Sequence, residues 1–148
     1  MIVEGGGRLL QGNNSSISEA RPPRKRRGTI TMRIVIILNH APYGSEMTFN
    51  AFRMAMALQA TEAKPELALT LMDDSVFCAM PNQMTPQGYY NIERMLKSLI
   101  AKGAAVRACS SCVQARGLME LDLIEGVEMS TMPELAAEVI TADKVLTF

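Results

Sequence analysis

The sequence predicts an α/β domain over Met32 to Phe148, built as a doubly wound and mainly parallel sheet of five strands. Three observations predict it. The 148 residues are 48% apolar and 20% charged, which suits one substantial core, is too short for two, and is not the composition of a disordered chain. Short β-branched or apolar runs alternate with segments of helical periodicity, the order that right-handed crossovers convert into a parallel sheet. Composition also changes abruptly at Met32, where MRIVIILN leads straight into a buried strand.

Residues 1–31 are expected to lie outside that core, as a flexible basic leader or a non-native extension. They carry Arg8, Arg21, Arg24, Lys25, Arg26 and Arg27 against Glu4 and Glu19, a net of +4, whereas residues 32–148 carry nine bases and thirteen acids, a net of −4. A mildly acidic domain exerts no general attraction on nucleic acid. The run RPPRKRR fits a polyanion contact or an address, although such a run is more often a solvated arm. The leader lacks the long apolar stretch of a secretory signal, and its GGG and PP breaks and two acids interrupt the amphipathic helix of a transit peptide. No apolar run approaches about 18 residues, so no membrane span is expected. Three cysteines cannot make an all-disulfide secreted scaffold, which leaves a reduced, cytoplasmic protein as the simpler expectation.

The elements follow in order. Arg33 to Leu38 is a continuous β-branched and apolar run, as in a central parallel strand covered on both faces. Asn39 to Ser45, NHAPYGS, is a polar, turn-rich loop at its carboxyl end. Ser45 or Thr48 is placed to cap a helix through FNAFRMAMALQA, with Phe49, Phe52, Met56 and Leu58 as its apolar face. The methionines around Met54 and Met56 fit a core or subunit contact. Pro65 closes this unit, Leu67 to Met72 is the second strand, and a long loop runs from Asp73 to Gly88. Tyr89, Ile92, Leu96 and Ile100, widened by Met95 and Leu99, predict a second helix that Gly103 terminates. Ala104 to Cys109 is the third strand, followed by a short loop or helical turn, CSSCVQARG, ending at Gly117. Val127 to Met129 is a short fourth strand. Thr131 and Glu134 have capping-box spacing with Pro133 in the first turn, so a last helix runs to about Thr141 and Lys144 to Phe148 is the terminal strand.

Open α/β sheets bind ligands beyond the carboxyl ends of their strands, here the segments Asn39 to Ser45, Asp73 to Gly88 and Cys109 to Gly117. In the third of these Cys109 stands at a strand end and Cys112 follows three residues later. In a tight turn or first helical turn that spacing brings two sulfurs within bonding range, and helix amides favour a thiolate. Arg107, two residues before Cys109, would share its strand face and is placed to lower the thiol pKa. The pattern points to a nucleophilic Cys109 with Cys112 as resolving partner, although a pair of buried structural cysteines has the same spacing. His40 suits proton transfer or ligand orientation, or simply a local hydrogen bond. Tyr43 and Gly44 are placed to shape a pocket floor. Asp73 and Asp74 fit either metal ligation or a solvated turn, and Cys78, after Val76 and Phe77, fits a packed position. Cys78 and His40 are the only further soft ligands, which makes a closed zinc site improbable in space, so no metal is expected. Rossmann and Walker glycine fingerprints, a Ser-His-Asp order and HExxH are all absent from the sequence, and no cofactor is expected.

The NHAPYGSE segment, Tyr89 with Tyr90 opening the second helix, the CSSCVQARG loop and the terminal MPELAAEVITADKVLTF, in this order, resemble the YchN-like branch of the DsrE/DsrF superfamily. The resemblance spans essentially all of Met32 to Phe148. It implies a three-layer α/β/α sandwich assembled as a homohexamer of stacked trimers. In related DsrE and TusD proteins a cysteine at this strand-end position receives persulfide sulfur and passes it along a relay. That role carries to Cys109, which stands before the same Arg-Gly turn, here Arg116 and Gly117. Cys112 matches the second cysteine of the branch and leaves sulfur transfer, disulfide closure or neither open. Asn39, Tyr43, Gly44 and Glu46 match the first-loop pattern and, with His40, are implied pocket or subunit contacts, while Arg107 and Arg116 are placed to stabilise anionic sulfur. The implied protein is a cytoplasmic sulfur relay with sulfur-donor and sulfur-acceptor partners. Its alternatives are a non-catalytic hexamer that binds a small ligand or partner, and a CxxC thiol-disulfide redox protein.

Overall fold

The β-branched run RIVIIL cannot turn both its faces to water, and it extends as β1, Arg33–Leu38, over the residues its pattern predicts. The computed structural model describes residues 31–148, so the leader expected at residues 1–31 lies, up to residue 30, outside the described residues. After β1 come α1 (Met47–Ala60), β2 (Glu66–Leu71), a 3₁₀ helix (Asp73–Ala79), α2 (Ile92–Ala101), β3 (Ala105–Cys109), α3 (Ser110–Ala115), β4 (Val127–Ser130), α4 (Met132–Ile140) and β5 (Lys144–Thr147).

The strands form one five-stranded sheet in the order β4-β3-β2-β1-β5, with every neighbouring pair parallel. Ile36 lies opposite Leu69 and Leu146, and Leu69 opposite Val106. Partners in a parallel ladder share a face, and alternate residues of a strand switch faces. Ile34, Ile36, Leu38, Leu67, Leu69, Leu71, Val106 and Ala108 therefore line one face, and Arg33, Val35, Ala68, Arg107 and Cys109 the other. The steps from β1 to β4 all move toward one edge, so right-handed crossovers place α1, α2 and α3 on the first face. The return from β4 to β5 runs the other way and carries α4 across the second face. The result is a three-layer α/β/α sandwich, as predicted.

On the first face Phe52 of α1 and Ile92, Leu96 and Leu99 of α2 are fully buried against the strands. Each such side chain contributes roughly 1.5–3 kcal/mol. The second face is thinner and partly polar. Val35, Ala68, Cys109 and Leu135 are buried outside the main cluster, and Arg33 reaches Glu138 of α4 at 3.3 Å.

Three local expectations change. Neither Ser45 nor Thr48 caps α1. The helix begins after Glu46 with no side-chain cap, and the buried Thr48 hydroxyl instead donates to the His40 carbonyl at 2.7 Å. Ala51 and Ala55 are the buried centre of α1 beside Phe52, with Phe49, Met56 and Leu58 only partly covered, because close approach of helix to sheet favours small residues there. Tyr89 and Tyr90 precede α2 rather than open it. Asn91 is the cap and accepts the Arg94 N–H at 2.9 Å. The last helix starts as its spacing predicts, with the Glu134 carboxylate accepting from the Thr131 N–H at 2.7 Å and its hydroxyl at 2.8 Å.

Candidate functional site

β3 ends at Cys109, whose extended backbone turns directly into α3, so Cys112 lies one turn along that helix. α3 is short because Arg116-Gly117 ends it. Gly117 takes φ 67°, and the bonds Gly117 N–H to Gln114 at 3.0 Å and Leu118 N–H to Val113 at 3.1 Å close a Schellman turn. Arg116 lies across the end of β2. Its Nε donates to Asp74 Oδ1 at 2.9 Å, its Nη2 donates to Asp74 Oδ1 at 2.7 Å and also to Asp73, and its Nη1 donates to the Cys112 carbonyl at 3.2 Å. Asp73 sits in the left-handed region at φ 49° and donates its backbone N–H to Cys112 Sγ at 3.3 Å. The clamp thus joins β2 to the cysteine pair through both backbone and side chains.

The sulfurs differ in surroundings. Cys109 is wholly buried and Cys112 half-buried, and all three cysteines are free thiols. Burial alone would push the Cys109 thiol up, but the Ser111 hydroxyl 3.2 Å away, the Cys112 and Ser111 amides and the Cys112 thiol together hold it below the ordinary value. Cys112 moves the opposite way. Burial and the neighbouring Cys109 side chain push it up, against the Asp73 amide and the Arg116 charge. The two thiols are therefore shifted in opposite directions, Cys109 toward the thiolate and Cys112 toward the thiol. Cys78 belongs to neither, since burial in the main core pushes it to about 12. Among the described residues, no group of three or more His, Cys, Asp or Glu is arranged to hold a metal ion.

The other expected site residues scatter. Arg107 shares the strand face of Cys109, yet its guanidinium is directed to Glu138 of α4 and, at 3.7 Å, to Glu128 of β4. Asn39 turns to the far edge, where its N–H donates to the Phe148 carbonyl at 3.0 Å. His40 is exposed and serves through its carbonyl. Tyr43 donates to Gln83 at 2.8 Å, accepts from the Ile92 N–H at 3.2 Å and stacks with Tyr90, which also stacks on Phe49 and Tyr89. Gly44 and Glu46 lie in the turn leading into α1. The first loop thus builds an aromatic cluster at the start of α2, and its hydrogen bonds do not run to the cysteines. Sequence reasoning missed Ser111 and the Asp73 amide. The SSC string contained the first signal, a hydroxyl between two thiols, whereas a backbone N–H leaves none.

Fold and site together define a parallel α/β dithiol protein whose cysteines sit where a strand meets a short helix. The chain belongs to the DsrE/DsrF-like family, whose profile matches residues 32–148. It is 47% identical over 116 residues to Protein YchN of Escherichia coli K12, covering 78% of this chain and 98% of that protein. It is 39% identical over 117 residues to protein MJ0989 of Methanocaldococcus jannaschii, covering 79% and 100%. The crystal structure of the E. coli YchN protein matches with TM-score 0.76 at 46% identity over 80% of this chain and 100% of that one. The Methanobacterium thermoautotrophicum protein MTH1491, at TM-score 0.65 and 14% identity over 79% of this chain and 99% of that one, shares the fold. Among the described residues no helix is long and apolar enough to cross a membrane.

Proposed function

We propose that this protein is a sulfur carrier of the relay type, with Cys109 as the atom that accepts sulfane sulfur. The observation that carries the reading is the unequal pair: hydroxyl, amides and a thiol converge on Cys109 and favour its thiolate, the form that attacks sulfur. The Cys109 thiolate attacks the outer sulfur of a donor persulfide. A Cys109–sulfur bond forms, the donor sulfur–sulfur bond breaks, and the donor leaves as its thiolate with the electron pair. An acceptor thiolate then attacks the outer sulfur and Cys109 leaves as thiolate. Because Cys109 is covered, a donor reaches it only through a local opening of the strand-helix junction. Membership of the DsrE/DsrF-like family supports the same reading.

The placement of the two thiols, at a strand end and one turn along α3, favours a second reading, dithiol redox, in which Cys109 and Cys112 close a disulfide. Intact mass spectrometry of the anaerobically reduced protein after exposure to a persulfide separates the two. A reversible gain of one sulfur, about 32 Da, lost in Cys109→Ser and kept in Cys112→Ser, supports the carrier. Loss of two hydrogens with no sulfur gained supports redox.

The proposal includes a cytoplasmic homohexamer of stacked trimers. Three free thiols suit a reducing compartment. Assembly would cover apolar side chains left open around α4 and β5, of which Ile140 is 83% exposed and Val139 and Val145 are also open. Native mass spectrometry tests this, and a monomer at micromolar concentration would refute it.

A further inference from the structure

The mechanism above leaves two features of the site without work: a left-handed aspartate whose amide meets a sulfur, and an arginine fork that spans the end of β2 and the cysteine helix. We propose that Asp73 and Arg116 are positioning residues that arm Cys112 as a resolving nucleophile only after Cys109 has taken up sulfur. This rests on the reading of Cys109 as the sulfur acceptor.

The argument is geometric first. Asp73 begins the 3₁₀ helix, where its N–H has no partner in the helix or the sheet ladder. The left-handed turn at φ 49° leads the chain away from β2 and leaves that N–H directed at Cys112 Sγ, 3.3 Å away. Arg116 holds the arrangement shut, bonded to Asp73, to Asp74 at 2.7 Å and to the Cys112 carbonyl at 3.2 Å. A donor and a cation thus stand beside the second sulfur, whose ionisation the neighbouring Cys109 opposes.

Loading changes that balance. Once Cys109 Sγ is bonded to a second sulfur it is a neutral divalent atom, and the bond and charge that kept the proton on Cys112 are withdrawn from that position. The Asp73 amide and the Arg116 charge remain, and both favour the Cys112 thiolate. That thiolate attacks the inner sulfur. The Cys109–Cys112 bond forms, the bond to the outer sulfur breaks, and the outer sulfur leaves as hydrosulfide with the electron pair. Sulfane sulfur is reduced as the two thiols are oxidised to the disulfide. An acceptor that collects sulfur before this step receives it intact, so the device sets a time limit on the carrier.

The test removes the neighbour without using sulfur at all. Cysteine ¹³Cβ chemical shifts are followed against pH in the full chain, in Cys109→Ser, and in Cys109→Ser combined with Arg116→Gln or Asp73→Asn. The Cys112 midpoint is expected to fall in Cys109→Ser, to rise again when Arg116→Gln is added, and to stay low with Asp73→Asn, which keeps the amide and the cation. Cys78 is the control for folding, since it stays protonated to about 12 in the intact core. If Arg116→Gln releases Cys78, Arg116→Met, which keeps the length of the stem and removes the charge, decides in its place. A Cys112 midpoint unmoved by Cys109→Ser, or by the Arg116 variant that stays folded, overturns the proposal. In the sulfur-loaded protein, hydrosulfide release slows severalfold in Arg116→Gln if the clamp arms Cys112. Failure of Cys109 to take up sulfur would instead overturn the carrier reading, and the titrations would still report on the clamp.

Discussion

Arg33 at the start of β1 and Glu138 near the end of α4 pair at 3.3 Å, with side chains only 15% and 9% exposed. Arg107 of β3 meets the same carboxylate oxygen, and Arg33 also donates to Thr141 at 2.6 Å. One acid thus ties two strands to α4 on the thinner face of the sheet. Removing it would leave two cations short of their partner beneath α4. Glu138→Ala is expected to cost about 3 kcal/mol, read as a lower urea midpoint. Glu138→Gln, which keeps an acceptor oxygen, should cost less. Equal stability of all three proteins would show that the pair is solvated and idle.

The two site thiols should titrate in a fixed order. A thiolate is the form present above the pKa, so the lowered Cys109 ionises at a pH where the raised Cys112 is still protonated. Ser111→Ala removes a hydroxyl that favours the Cys109 thiolate and should move the Cys109 midpoint upward. Site-resolved ¹³Cβ titration reads both, and a Cys112 that ionises first would reverse the assignment of nucleophile.

Cys78 should be silent in the native protein. It is fully buried and held to about 12, so a thiol reagent near neutral pH has neither a path to it nor a thiolate to meet. Labelling in buffer is expected at the half-buried Cys112 first and at Cys109 only as the strand-helix junction opens, with Cys78 appearing only in denaturant. Rapid native labelling of Cys78 would mean that the main core opens far more readily than its packing implies.

Two glycines should respond differently to alanine. Gly117 at φ 67° has open space where a Cβ would go, so Gly117→Ala carries only the left-handed backbone cost, about 1 kcal/mol. At Gly126, φ 89°, the added Cβ would come within 2.7 Å of Ile100 Cγ2. Gly126→Ala should therefore lower the melting temperature more than Gly117→Ala, and the reverse order would count against the packing of β4 on α2.

The sequence by itself determined the strands, the helices and the place of the cysteine pair. β-Branched runs such as Arg33–Leu38 have few other ways to bury both faces, Thr131-Met-Pro-Glu134 has the chemistry of a helix start, and the apolar run that ends at Cys109 gives way to the polar Ser110-Ser111. These are local properties, set by the spacing of side chains along one segment. Only the tertiary structure decided which partners those side chains have. Arg107 was placed beside Cys109 by strand alternation, yet α4, 31 residues further on, brings Glu138 to its guanidinium. Asp73 is 39 residues from Cys112, and the bond between them uses a backbone N–H that every residue but proline possesses. What aims it is the register of β2 against β3 and a left-handed turn, and neither the identity of Asp73 nor its neighbours in sequence encodes a contact that exists only once those strands lie side by side.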